Sequence, residues 1–129
     1  MRKPVVLIAA LTVTACVEDV PVDGQQAFLT DCAACHGTDA MGTGSFGAQL
    51  ITPPPDLTTL SQRYGGVFPR DYVLSTIDGL NRDPHFSGAM PEFGAGDMGP
   101  IIMTEEDGNP VPIPARLLAI TDYLETLQR

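Results

Sequence analysis

Hydrophobic positions recur at helical spacing in several separate stretches of this chain, and nowhere alternate in the two-residue period of a strand. Ala27, Phe28 and Cys35 fall near one face of a first helix, which Asp23 opens as a cap with Gln26 as capping-box partner and Gly37 ends. Asp56 caps a short helix reaching about Tyr64, where Gly65-Gly66 stops it. Pro69 sits at the start of a helix over about Arg70 to Asp78, with Tyr72, Val73 and Ile77 as its apolar side and Gly79 at its end. Pro114 opens the last helix, to about Leu127, with Leu117, Ile120, Leu124 and Leu127 as its stripe. The run from Asn81 to Pro100 has no period and reads as a loop, and Thr104 to Asp107 as at most a single turn. The expected fold class is all-α, with no strand and no repeat.

The N-terminus has a different pattern. Met1-Arg2-Lys3 is basic, Val5 to Val13 is apolar apart from Thr12, and Ala15 is a small residue before Cys16. This is the layout of an export signal over residues 1–15, and the apolar run is too short to span a bilayer, which takes about 20 residues. Residues 16–22 then read as a short tether and 23–129 as one small domain. A chain this small builds only a thin core of its own. Its 13 glycines and 12 prolines suggest loops wrapped around something that completes that core.

All 16 acidic residues lie from Glu18 onward, whereas Arg2 and Lys3 leave with the signal. Five arginines and no lysine remain, a formal charge of −11. Such a surface excludes nucleic acid as partner and suits proteins with a basic docking face. Solubility alone is an equally good reason for it.

The chemistry concentrates in Cys32-Ala33-Ala34-Cys35-His36, a C-x-x-C-H run that is the attachment signature of c-type haem. Two thiols one helical turn apart can add across the two vinyl groups of one haem, and the next histidine gives iron an imidazole nitrogen. A thioredoxin-like pair would need a β-α-β context, and a zinc site a second Cys/His pair at matching spacing. Neither is visible. The glycine-rich run Met41 to Gly47 lacks the lysine and strand of a phosphate loop, and reads as a haem-covering loop.

A second axial ligand favours electron transfer, and an open position favours binding or activation of small molecules. Met41, Met90, Met98 and Met103 are the candidates downstream of His36. Met41 is only a short loop away from His36. Met90 is preferred, because Pro91 holds its backbone extended and Phe93 can help cover a haem. His85 is the main rival, as sixth ligand or as the acid/base residue of a haem sensor or peroxidase-like enzyme. No carboxylate pair and no nucleophile with a base stands beside the haem motif, so the chain reads as a carrier rather than an enzyme. A haem subunit of a membrane redox complex is a further alternative.

On these residues the chain resembles the bacterial mono-haem class I cytochromes c, over roughly Asp23 to Arg129. Cys32 to His36 matches the family's haem motif, and Met90-Pro91-Glu92-Phe93 its distal methionine segment. Pro53-Pro54-Pro55-Asp56-Leu57 resembles the stretch whose carbonyl accepts from the histidine ring N–H. The resemblance implies several short helices and loops around one covalent haem c, His36 and Met90 as axial ligands, electron transfer to redox partner proteins, and a first helix crossing the last near Tyr123 with Gly24 and Phe28 in contact. It also implies haem attachment outside the cytoplasm. Two departures put the partner in doubt: the segment from Gly94 to Pro112 is long and rich in Gly and Pro, and the lysines typical of some relatives are missing. Val13-Thr14-Ala15-Cys16 resembles a lipobox, with Val13 for the usual leucine. That implies lipidation of Cys16, an anchor on the periplasmic side, and by Val17 a weak tilt toward the outer membrane. An ordinary signal peptide with a spare thiol is the alternative.

Overall fold

The computed structural model describes residues 21–80, 82, 88–106 and 108–129. The leader, Cys16, the rival ligand His85, and Asp83, an acidic residue expected near the docking face for a basic partner, lie outside them.

Five α-helices carry the fold among the described residues: α1 (Gly24–Asp31), α2 (Ala33–His36), α3 (Leu60–Arg63), α4 (Arg70–Asp78) and α5 (Ala115–Thr126). Single 3-10 turns occur at Gly47–Gln49, Leu57–Thr59 and Phe93–Ala95. Asp23 caps α1 as expected, accepting from the Gln26 N–H at 3.0 Å. The reciprocal half of the capping box is not made, because the Gln26 amide reaches forward to Thr30. The first helix is also not continuous. Cys32 ends α1 and starts α2, and its carbonyl accepts from both Cys35 and His36 N–H groups. Asp56 caps the third segment through the N–H and hydroxyl of Thr58 at 2.8 and 2.6 Å.

Helix α4 has the bounds its sequence signals predict, and Gly79 takes φ +105° at its C-terminal end, a left-handed conformation that glycine adopts without strain. Val73 and Ile77 face the core, but Tyr72 does not. It lies exposed with its ring 5.2 Å from that of Tyr64. In α5, Leu117, Ile120, Thr121 and Leu124 are buried, and Leu127 packs at the margin.

The expectation of no strand is overturned in one place. Ile101–Glu106 (β1) and Asn109–Pro114 (β2) form an antiparallel hairpin, with Ile102 opposite Ile113 and Thr104 opposite Val111. Thr104 is therefore in a strand and not in a helical turn. The ladder continues into α5 through Ala115 N–H to the Pro100 carbonyl at 2.8 Å. Every second residue of β2 is proline: Pro110, Pro112 and Pro114. These face Glu105, Met103 and Ile101, so the ladder bonds fall to the residues between them. The hairpin is a small addition to a helical domain.

The core sits where α1 crosses α5. Phe28 and Ile120 are fully buried there. Gly24 makes the close approach possible, since a Cβ on it would stand 2.1 Å from the Ala119 carbonyl oxygen. The Phe28 and Tyr123 rings meet at 5.6 Å. Both Gly24 and Phe28 thus stand where the sequence reading put them. Asp31 and Arg116 pair at 2.6 Å between α1 and α5, and Arg70 joins α4 to Asp122 and Glu125 of α5.

Candidate functional site

The short turn of helix from Cys32 to His36 decides the site, because it brings two thiols and an imidazole to one wall. Cys32, Cys35 and His36 all line a cavity of about 340 Å³. The rest of the wall is mostly apolar: Phe28, Ile77, Ile120 and Leu124 from the core, Pro53, Pro54 and Pro55 from the proline stretch, and Met90, Pro91 and Phe93 from the far loop. The core and the cavity share these side chains, so whatever fills the cavity completes the core.

Burial pushes the Cys32 thiol up to about 12, and the neighbouring Asp31 carboxylate adds to the effect. Burial thus favours the protonated thiol at Cys32 within this fold. His36 is held below its usual value by burial. It is therefore neutral near pH 7, the form that ligates a metal. Its Nδ1 is buried without a hydrogen bond of full geometry. The Pro55 carbonyl nonetheless stands close enough to the ring to oppose the effect of burial. A backbone acceptor thus lies near the imidazole, of the kind that orients a ligating histidine.

The glycine-rich loop does not cover the cavity. It packs behind the Cys-His turn, where a Cβ on Gly44 would meet the Ala34 carbonyl at 2.4 Å and one on Gly47 the Cys35 carbonyl at 2.3 Å. Only Leu50 and Thr52, beyond it, reach the cavity wall.

The methionines separate clearly. Met90 is half-buried and lines the cavity with the Cys-His turn. Met98 is buried in the core, whereas Met41 and Met103 are exposed, Met103 on the hairpin. His85 is outside the described residues, so the structure carries no comparison between it and Met90.

The loop that presents Met90 rests on the C-terminal end of α4. A Cβ on Gly79 would meet Glu92 Cβ at 2.8 Å, and one on Gly94 the Asp78 carboxyl at 2.5 Å. Arg82 donates to the carbonyls of Met90 at 2.7 Å, of Pro91, and of Thr76 at 3.2 Å. Sequence reasoning missed Arg82, since bonds to carbonyls leave no residue-type signature. Its one signal was a lone arginine eight positions before Met90 in a chain of acidic residues. Beside this loop, a surface hollow of about 400 Å³ is lined by Asp31, Glu92, Asp97 and Arg116 together with Phe93 and Met98.

A covalent haem fits the arrangement: paired thiols, a neutral imidazole with a backbone acceptor, a thioether and apolar walls share one cavity. Comparison with known proteins agrees. The family model described as cytochrome c matches residues 21–111. No curated protein and no solved structure shows significant similarity to the chain.

Proposed function

The chain belongs to the cytochrome c family and is a haem-binding electron-transfer protein; from that premise we propose a mono-haem carrier ligated by His36 and Met90 and lipid-anchored through Cys16. Haem c supplies the one-electron couple and the colour by which it is followed. Cys32 and Cys35 hold it by thioether bonds. His36 gives iron its imidazole nitrogen, and the Pro55 carbonyl orients that ring. Met90 gives the thioether that favours ferrous iron, while Phe28, Ile77, Ile120, Leu124 and Phe93 keep water from the cavity.

One observation carries the reading: Met90 shares a cavity with Cys32, Cys35 and His36, and Met41, Met98 and Met103 do not line it. The test is the visible spectrum of the reduced protein with and without carbon monoxide. Wild type should not change, and Met90→Ala should bind carbon monoxide readily and have a lower reduction potential. The same change at Met98 or Met103 should do neither. A Met90→Ala spectrum identical to wild type passes the ligand to another residue, His85 first. Haem should resist acidic organic solvent in wild type and become extractable when Cys32 and Cys35 are both serine.

Export and anchoring are read from the leader. No helix of the described residues is long and apolar enough to cross a membrane. In this reading the leader is cut before Cys16, acyl chains on that cysteine hold a bacterial lipoprotein on the periplasmic side, and residues 17–22 are the tether. Val17, which is not an aspartate, favours the outer membrane. The acidic surface, including Glu92 and Asp97 in the surface hollow beside the Met90 loop, meets a redox partner with a basic face.

A further inference from the structure

A methionine holds haem iron weakly, so what keeps it in place is the backbone that carries it. Around Met90 that backbone is a loop followed by a single 3-10 turn, Phe93–Ala95, with no regular ladder of its own. Its carbonyls need partners from elsewhere. At the same time α4 ends with carbonyls that have no intrahelical partner. Ser75 is served by the Gly79 and Leu80 N–H groups, and the Thr76 carbonyl takes its bond from Arg82 instead.

One guanidinium meets both needs. Arg82 Nε donates to the Thr76 carbonyl, Nη1 to that of Met90 and Nη2 to that of Pro91. The planar fork spans a helix terminus and the two consecutive residues that present the thioether. Its positive charge also lies at the negative end of the α4 dipole. The two glycine contacts, Gly79 against Glu92 and Gly94 against Asp78, seat the loop on the same end of the same helix. Those contacts fix how close the loop lies, and the guanidinium fixes its register.

We propose that Arg82 is the positioning residue for the sixth ligand: it locks the Met90–Pro91 backbone to the C-terminal end of α4 and so sets how often the thioether leaves iron. The inference rests on Met90 being that ligand. Neutralising Arg82 leaves the thioether intact but frees the loop, so an added ligand enters faster.

The experiment follows cyanide binding to the ferric holoprotein at saturating cyanide, where opening of the methionine bond limits the rate. Arg82→Gln should bind at least about tenfold faster, the factor that just one of its two charge-assisted hydrogen bonds to the loop is worth. The sulfur-to-iron charge-transfer band should weaken in parallel. Arg82→Lys keeps the charge without the fork, should fall between the two, and serves if Arg82→Gln does not fold. A loss of fold stability alone moves neither the band nor the rate under native conditions. Met90→Ala separates the two readings. If it abolishes the band while both Arg82 variants stay within a factor of two of wild type, the clamp is wrong and the ligand stands. If Met90→Ala leaves the band untouched, the ligand assignment is wrong and the clamp goes with it.

Discussion

Gly24→Ala is the sharpest test of how the fold closes around the cavity. The added Cβ would stand 2.1 Å from the Ala119 carbonyl oxygen, whereas ordinary contact begins at 3.4 Å. The obstacle is backbone, so α1 and α5 must part by about 1.3 Å at the crossing, the difference between those two distances. Parting them loosens Phe28 and Ile120, both with no exposure and both on the cavity wall. Overpacking of this kind costs about 1–3 kcal/mol, and an obstacle that cannot rotate away puts the cost at the upper end. Alanine's better helix propensity returns up to about 1 kcal/mol, less at a first helical position. The net loss is about 2 kcal/mol. In urea, with a slope of about 1–2 kcal/mol/M for a chain this small, the midpoint should fall by about 1–2 M. Unfolding of the holoprotein is followed by far-UV ellipticity and by the haem spectrum together. Gly96→Ala is the control, because its Cβ would meet only Phe93 O at 3.4 Å and should shift the midpoint little. A Gly24→Ala protein as stable as wild type, or more so, would refute the close crossing, since propensity alone would then decide the outcome.

Three further outcomes are expected. Asp56 is held below the usual carboxylate range by the Thr58 hydroxyl and N–H and by Arg129, and Asp39 by the Met41 N–H and the Thr43 hydroxyl. A lowered value means stability present above the unfolded carboxylate value and lost as pH falls through the folded one. Asp56→Asn should therefore be less stable than wild type at pH 7, with the gap closing below about pH 4 in an acid titration; a gap constant with pH would refute the assignment. Cys16→Ser should yield uncleaved or soluble protein, because acyl chains contribute about 0.8 kcal/mol per buried methylene; mass spectrometry of the mature N-terminus decides, and a free amine on any other residue sinks the anchor. Neutralising Glu92 and Asp97 together should slow electron transfer to a basic partner at low salt and matter little at high salt, where the Debye length drops well below about 8 Å; a rate flat with ionic strength would leave the charge to solubility.

What could be read from the sequence was what local chemistry specifies. The C-x-x-C-H turn, the Asp23 and Asp56 caps, the bounds of α4 between Pro69 and Gly79, and the stripe of α5 all depend on residues within a few positions of one another. The hairpin escaped notice because the prolines of β2 look like breakers, and because both sides of β1 are largely exposed and show no alternation. The break at Cys32 was hidden for the opposite reason, since the helical spacing carries on across it. Tyr72 has the period of a core residue and finds Tyr64 outside the core. At the candidate site, the motif pointed to Cys32, Cys35 and His36, which line one cavity, and residue type left several methionines, of which Met90 lines that cavity too. Arg82 donates to main-chain oxygens that the fold brings together, and such bonds leave no pattern in the sequence.

The prolines of β2 also bear on how this protein tolerates crowding. Pro110, Pro112 and Pro114 occupy the positions whose backbone groups point away from β1. A neighbouring chain that tried to extend the hairpin from that side would find no N–H at Pro110, Pro112 or Pro114. On the other side, the outward groups of Ile101, Met103 and Glu105 keep both donors and acceptors. The hairpin is thus a one-sided surface: closed by its own covalent chemistry to strand-by-strand growth on β2, and open to a single added strand along β1. Among the described residues, then, strand pairing between copies would have to run along β1 and not along β2.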